Sequence, residues 1–263
     1  MPYADLGGTV LRYLVIGAGP PLLLIRGLAR CAEYWLGFED ELARDHQVIL
    51  VDTRGVGGSD VPPPPYTTAA MADDLARLLA HLGLSPVHVF GLSLGGMVAQ
   101  QLALRYPYRV ARLAIGCCSP GPRLGGRLDP VGASKLLTAF VLPGALRRRL
   151  VAEVTLSLPP GERRTWVIQR WEELGDLWPV PVAGLLGQLA AAALHDPGPA
   201  LGRVHLPCLI LHGTEDRLLP LVNAQRLAEV LPAGRLEILP GAGHDLVAEQ
   251  PERVARLLRS FLS

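Results

Sequence analysis

Residues 87–95 read Val-His-Val-Phe-Gly-Leu-Ser-Leu-Gly, and this stretch decides the fold. The apolar run at 87–90 predicts a buried strand, and the pattern at 94–105 predicts a helix. The intervening Gly-x-Ser-x-Gly segment at 91–95 therefore stands in a strand–turn–helix context. Such a sharp turn projects the Ser93 hydroxyl above the end of a sheet and beside a helix N-terminus, where free N–H groups favour developing negative charge.

Short apolar runs alternate with helical patterns along most of the chain, which is typical of βαβ units and a mostly parallel sheet. Six further strands are predicted at 9–16, 21–25, 48–51, 110–115, 208–211 and 236–239. Three further helices are predicted at 69–82, 223–230 and 251–261. The sequence therefore predicts an α/β fold, with helices flanking a mostly parallel central sheet.

The stretch 119–203 breaks this alternation. It contains several helical patterns separated by prolines and glycines, and no clear strand. We therefore expect an inserted helical cap at 119–203, with residues 1–118 and 204–263 forming the core domain. An insertion at this place would cover a site at the ends of the strands.

Composition excludes several classes of protein. The chain has 263 residues, of which 49% are apolar, and this fraction is too high for a disordered protein. A net charge of +1 argues against a nucleic-acid partner. The longest apolar run, 182–194, is too short for a membrane span, and the first ten residues lack the features of a signal peptide. We expect a cytoplasmic protein, a monomer or small homo-oligomer, that acts on a small molecule.

Four cysteines are few for this length, and their spacing does not suit a metal site or a disulfide scaffold. They are Cys31, Cys117, Cys118 and Cys208. The adjacent pair is compatible with a vicinal disulfide. We favour two free cysteines that act as small buried residues at the end of a strand, because the cytoplasm is reducing.

A serine nucleophile needs a general base, and the base needs a carboxylate that orients it. After an elbow serine, the expected chain order is serine, acid, histidine. Asp216 and His244 each come shortly after a predicted strand, so both should meet Ser93 at one edge of the sheet. Glu215 is an alternative acid one position away. The structural alternatives are that Ser93 only forms a tight turn and that His244 only caps a loop. They do not explain why serine, acid and histidine occur in the expected order.

These segments resemble those of the α/β-hydrolase family, and the resemblance covers nearly the whole chain. It is strongest at 24–28, 52–60, 91–96, 212–216 and 241–244. It is weakest at 119–203, which corresponds to the variable cap of that family. The set is similar to small bacterial esterases and enol-lactone hydrolases, and it favours Asp216 over Glu215 as the acid. It is poorly specific for substrate.

An oxyanion hole formed by two backbone N–H groups is expected beside the serine. Leu94 follows the nucleophile and would supply one donor, and Leu28 after Gly27 would supply the other. Arg26 stands where the resemblance implies histidine. Either Arg26 braces the loop by pairing with a residue such as Asp52 or Asp60, which we favour, or it binds an anionic substrate group. Arg26 and Gly27 are candidate substrate contacts.

Three tryptophans, Trp166, Trp171 and Trp178, lie in the predicted cap. They would line a substrate pocket or form the small core of the cap, and the sequence favours neither. The arginines at 147–149 and 163–164 predict a solvated helix face.

The expected function is a serine hydrolase that cleaves carboxylic esters or lactones through an acyl-Ser93 intermediate, without a metal or organic cofactor. An elbow serine argues against dehalogenases and epoxide hydrolases, since relatives with those activities use an aspartate nucleophile. A cofactor-free peroxidase, a C–C bond hydrolase or an acyltransferase would use the same three residues. A ligand receptor on the same fold is the alternative outside enzymes.

Overall fold

A computed structural model describes residues 1–142 and 144–263, and nothing is stated about the side chains of 144, 145 and 148. Its centre is an eight-stranded sheet with the order β1-β2-β4-β3-β5-β6-β7-β8. The strands are β1 (Tyr3–Asp5), β2 (Val10–Ile16), β3 (Pro21–Ile25), β4 (Gln47–Val51), β5 (Val87–Leu92), β6 (Val110–Gly116), β7 (Cys208–Gly213) and β8 (Gly234–Leu239).

Ten helices accompany the strands within the described residues. They are α1 (Phe38–Leu42), α2 (Thr68–His81), α3 (Leu94–Arg105), α4 (Pro130–Val141), α5 (Gly144–Thr155), α6 (Glu162–Leu177), α7 (Val182–Ala193), α8 (Val222–Val230), α9 (Leu246–Glu249) and α10 (Pro251–Leu262). None of them is both long and apolar enough to cross a bilayer.

The sheet is parallel from β4 and β3 through to β8, while β1 and β2 pair antiparallel at one edge. Strand β3 shows why the apolar runs were continuous. Its residues Leu23 and Ile25 belong to the hydrophobic core on one face of the sheet, and Leu22 and Leu24 belong to the core on the other. A strand covered on both faces has no solvent side to fill with polar residues.

The predicted α/β class is confirmed, and the predicted elements are found with bounds that differ by no more than two residues. The sequence analysis missed the edge strand β1. At three residues, it is too short to show a period.

Between β6 and β7 the chain forms α4 to α7 and no strand within its described residues. Buried side chains of α6, including Trp171, pack with Cys31 and Tyr34 of the loop region after β3 in a small core of their own. Helix α7 is attached by Gln188, which is completely buried and reaches back to the loops that follow β3 and β4. The helical segment is therefore fastened to the strand ends on which Ser93 also lies.

Candidate active site

Ser93 lies at the turn between β5 and α3, in a backbone conformation with φ 57° and ψ −119°. A non-glycine residue with positive φ is strained by about 1–3 kcal/mol and persists only where its surroundings fix it. The neighbouring glycines allow that close packing. An added Cβ would lie 2.2 Å from the Gly95 carbonyl oxygen if placed on Gly91, and 2.1 Å from the Ile25 oxygen if placed on Gly95.

Replacing Gly95 with alanine is expected to destabilise the protein by at least about 2 kcal/mol, because the new methyl group meets backbone that cannot move independently of the sheet. Urea unfolding followed by circular dichroism measures this. Gly161→Ala is the matched control, since nothing lies within 4 Å of a Cβ there, and it should cost under about 1 kcal/mol. Equal stability of the two variants would contradict the steric account.

The three residues predicted to meet at the edge of the sheet are hydrogen-bonded in series. His244 Nε2 lies 2.9 Å from Ser93 Oγ, and His244 Nδ1 lies 2.8 Å from Asp216 Oδ2. The other carboxylate oxygen, Asp216 Oδ1, accepts the N–H groups of Leu218 and Leu219 at 2.9 Å each. The backbone therefore fixes the carboxylate, the carboxylate fixes the imidazole, and the imidazole faces the hydroxyl.

The electrostatic surroundings favour an ionised Asp216 and a more basic His244. Burial would raise the pKa of Asp216, but His244 and the backbone donor Leu219 outweigh it, and the pKa is lowered. Burial would lower the pKa of His244, but the charge of Asp216 and its hydrogen bond outweigh it, and the pKa is raised. Asp216 is thus anionic at neutral pH, and the imidazole has gained basicity.

The adjacent acid and histidine do not take these places. Glu215 is exposed, and its carboxylate accepts a hydrogen bond from the Thr214 hydroxyl at 3.4 Å. His212 lies with Nε2 2.8 Å from the Leu219 carbonyl oxygen, and burial lowers its pKa. A neutral His212 that donates to this carbonyl packs behind the loop of Asp216.

The loop after β3 passes directly over the serine. A Cβ on Gly27 would lie only 3.2 Å from Ser93 Cβ, so glycine lets the backbone approach. Leu28 follows in this loop, and Leu94 is the first residue of α3, where a helix offers no internal acceptor for its N–H. Both leucines line the same cavity as Ser93. The arrangement suits an oxyanion that develops above the serine.

Gln188 of α7 holds this loop and was not identified from the sequence. Its Oε1 accepts the N–H of Ala29 at 2.8 Å, and its Nε2 donates to Thr53 Oγ1 and to the Arg54 carbonyl oxygen. No local pattern could reveal it, because a glutamine in an apolar helix shows its partners only once the helix is docked.

Arg26 braces the loop, but its partner differs from the predicted ones. Its guanidinium donates two hydrogen bonds to Asp245, at 2.8 and 3.2 Å, and not to Asp52 or Asp60. It also lies over the Trp35 ring, and its side chain is only 1% exposed. Asp245 was not identified because it simply follows His244 in a loop. Arg26 also lines the cavity, but the protein itself supplies a carboxylate to its guanidinium, which favours the bracing role over binding of an anionic substrate group.

Replacing Arg26 with methionine is expected to destabilise the protein by about 3–5 kcal/mol, because Asp245 would be left buried without its partner. Thermal unfolding measures this loss, and an unchanged free energy of unfolding would contradict the bracing role. Arg44→Met, which breaks an exposed ion pair, is the control and should cost under about 1 kcal/mol.

A cavity of about 650 Å³ opens above Ser93 and His244. Leucine and alanine side chains of α4 and α7 form much of its wall. Of the three tryptophans, Trp171 and Trp178 line the cavity, and Trp171 also belongs to the small core of α6. Trp166 does not line it. That side chain is 38% exposed and stacks against Arg163, so its prediction as a substrate contact was wrong.

The arginines of the helical segment are not a simple solvated face. Arg163 donates to the Ala248 carbonyl oxygen, Arg164 donates to carbonyl oxygens preceding its own helix, and Arg147 lines the cavity. The side chain of Arg148 lies outside the described residues. The expectation of a solvated face is confirmed for Arg149 and Arg163, which are exposed, and was wrong for Arg147 and Arg164, which are half-buried.

Two groups of side chains among the described residues bring potential metal ligands together: Cys117 with Asp216 and His244, and Cys31 with Glu33 and Asp52. Burial raises the pKa of both thiols, which favours the protonated form over a metal-binding thiolate. In addition, His244 and Asp216 of the first group are hydrogen-bonded to each other. In the second group, Arg12 forms ion pairs with both carboxylates. We assign neither as a metal site.

Residues 20–251 match the sequence model of the α/β hydrolase fold. The chain belongs to the α/β-hydrolase family. A poly(3-hydroxyalkanoate) depolymerase of Ectopseudomonas oleovorans is 31% identical over 255 residues, covering 92% of this chain and 84% of its own. This α/β hydrolase also matches an esterase of Thermogutta terrifontis solved with malate bound, at 27% identity, a TM-score of 0.80, and coverage of 97% and 93%.

An enol-lactonase of Burkholderia xenovorans LB400 superposes with a TM-score of 0.87 over 99% of both chains, at 24% identity. At that identity the likeness shows the fold alone. With esterases and hydrolases among the relatives of this α/β hydrolase, the chain is a hydrolase of this fold.

Proposed function

We propose that this α/β hydrolase is a serine hydrolase that cleaves carboxylic esters or lactones. The observation that carries the proposal is the unbroken hydrogen-bond series from Ser93 through His244 to Asp216, with a cavity above it. Relatives that act on esters, an esterase and a polyester depolymerase, support the same bond type.

In the proposed reaction the Ser93 oxygen attacks the ester carbonyl while His244 Nε2 accepts the hydroxyl proton. Asp216 stabilises the imidazolium that forms, and the N–H groups of Leu28 and Leu94 bind the tetrahedral oxyanion. The imidazolium then gives its proton to the leaving alkoxide, and an acyl-Ser93 ester remains. Water, deprotonated by His244, attacks this ester and releases the acid with Ser93 restored.

We infer that residues 119–203 act as a cap that shapes the acyl or alcohol pocket. Helices α4 and α7 supply apolar cavity walls, while the reacting groups come from loops at the strand ends. Substrate range is then set by the helical segment, and the chemistry by the core.

The test is hydrolysis of a series of 4-nitrophenyl esters and lactones, combined with labelling by a fluorophosphonate probe. Hydrolysis of at least one member and a probe adduct mapped to Ser93 by mass spectrometry are expected. Product analysis in the presence of hydrogen peroxide or an alcohol separates hydrolysis from peroxidase and acyltransferase activity. An adduct at Ser93 without multiple turnovers on any ester or lactone would contradict the proposed function and favour a receptor.

A further inference from the structure

Arg30 is the second arginine of the loop over the serine, and the mechanism above does not use it. The loop turns back at Ala29, which has a positive φ of 59°, and the N–H of Arg30 donates to the Gly27 carbonyl oxygen at 3.3 Å. Arg30 follows the oxyanion donor Leu28 by two residues, so their Cα atoms are at most about 7 Å apart. It lines the same cavity as Ser93.

The Arg30 guanidinium packs against two aromatic rings. Its central carbon is 3.8 Å from the centroid of the Trp171 ring and 4.5 Å from that of Tyr34. A guanidinium stacked on an aromatic ring keeps the N–H donors at its edge free for hydrogen bonds. The aromatic contacts therefore hold Arg30 in the wall of the cavity and leave its donors available to a ligand.

No carboxylate of the described residues forms an ion pair with Arg30, which contrasts with Arg26. Burial lowers the pKa of Arg30, and Asp245 offsets this only in part, since its two oxygens are already engaged by Arg26. Two guanidinium groups therefore share one carboxylate, and the group keeps a net positive charge. Burial opposes that charge, which is a cost that a bound anion would offset.

The cavity around Arg30 is rich in donors. Arg127 and Arg147 also line it, and no aspartate or glutamate does so among the described residues. This imbalance points to a ligand that brings its own oxygen acceptors.

We propose that Arg30 binds a free carboxylate on the substrate, so that the enzyme acts on esters or lactones that carry a second, ionised carboxyl group near the scissile bond. This inference rests on the proposed function and narrows its substrate class. The alternative is that Arg30 only ties the core to α6 through the aromatic stack. That purely structural role would affect charged and neutral substrates equally.

The experiment compares mono-4-nitrophenyl adipate with the analogue whose free carboxylate is replaced by a neutral dimethylamide. Arg30→Met is expected to lower kcat/KM for the carboxylate ester by about 10- to 100-fold and for the neutral ester by less than about 3-fold. Arg30→Lys, which keeps the charge but loses the planar fork, should recover part of the preference. Arg44→Met removes an exposed positive charge outside the cavity, and should change the preference by less than about 3-fold.

Equal losses on both esters in Arg30→Met would overturn the proposal, and so would an equal change of preference in Arg44→Met. A second measurement does not need turnover. In a Ser93→Ala background, calorimetry is expected to detect adipate binding that disappears in the Ser93→Ala, Arg30→Met double variant. Binding that persists there overturns the carboxylate site, whereas absence of ester hydrolysis by the wild-type protein overturns only the proposed function.

Discussion

Ser93→Ala is expected to lower kcat for ester hydrolysis by about 10⁴- to 10⁶-fold. The attacking oxygen is the atom removed, and no other hydroxyl of the described residues lies within hydrogen-bond distance of His244 Nε2. The fold should be retained, because the substitution deletes one atom and introduces no new contact. Stopped assays with 4-nitrophenyl acetate and circular dichroism measure the two quantities.

Ser119→Ala is the matched control for this variant. Ser119 also lines the cavity, but its oxygen accepts the N–H of Gly121 and lies on a different loop. We expect its kcat to stay within about threefold of wild type and its fluorophosphonate labelling to persist. If labelling were lost in Ser119→Ala and retained in Ser93→Ala, the nucleophile would be Ser119 and the assignment to Ser93 would be wrong.

Asp216→Asn is expected to lower kcat by about 10³- to 10⁴-fold. The change keeps the shape of the side chain, but its amide cannot stabilise an imidazolium and can hold His244 in the wrong tautomer. The neighbouring Glu215→Gln removes an equal charge from an exposed side chain, and its kcat should remain within about threefold of wild type. Comparable losses in both variants would mean that the acid had been assigned wrongly.

The pH dependence of activity tests the role of His244 independently. His244 must be neutral to accept the proton of Ser93, and its pKa is raised because Asp216 outweighs the effect of burial. Activity of the wild-type enzyme should therefore fall, as pH decreases, through a midpoint above the ordinary histidine value of about 6.5. In Asp216→Asn the largest raising influence is lost, while burial, Asp245 and Arg26 remain, so the midpoint should move to lower pH. An unmoved midpoint would show that another group controls the profile.

Much of the fold and the chemistry of this site could be predicted from the sequence, because both follow local rules. A strand buried on two faces must be apolar throughout, and a sharp strand-to-helix turn must have small neighbours, as Gly91 and Gly95 do. Parallel strands end at one edge, so residues after β5, β7 and β8 converge whatever their distance along the chain.

The rest depends on docking between distant segments. Asp245 as the partner of Arg26, Gln188 as the clamp on Ala29, and Trp171 against Arg30 are each pairs more than one hundred residues apart in the chain. Which residues pair depends on the orientation of the helices and on the side-chain rotamers. Neither property leaves a periodic pattern in the sequence. The error over Trp166 has the same origin, since one helix presents tryptophans to opposite environments.

The clamp formed by Gln188 bears on protein engineering by chimaera construction. The side-chain amide of Gln188 connects α7 to the backbone loop that contains Leu28, so a graft that replaces 119–203 with a foreign segment also removes this connection. Chimaeras that keep an amide side chain at the position equivalent to Gln188 should retain turnover and acquire a new substrate selectivity. Those without it should bind the new ligands and convert them slowly.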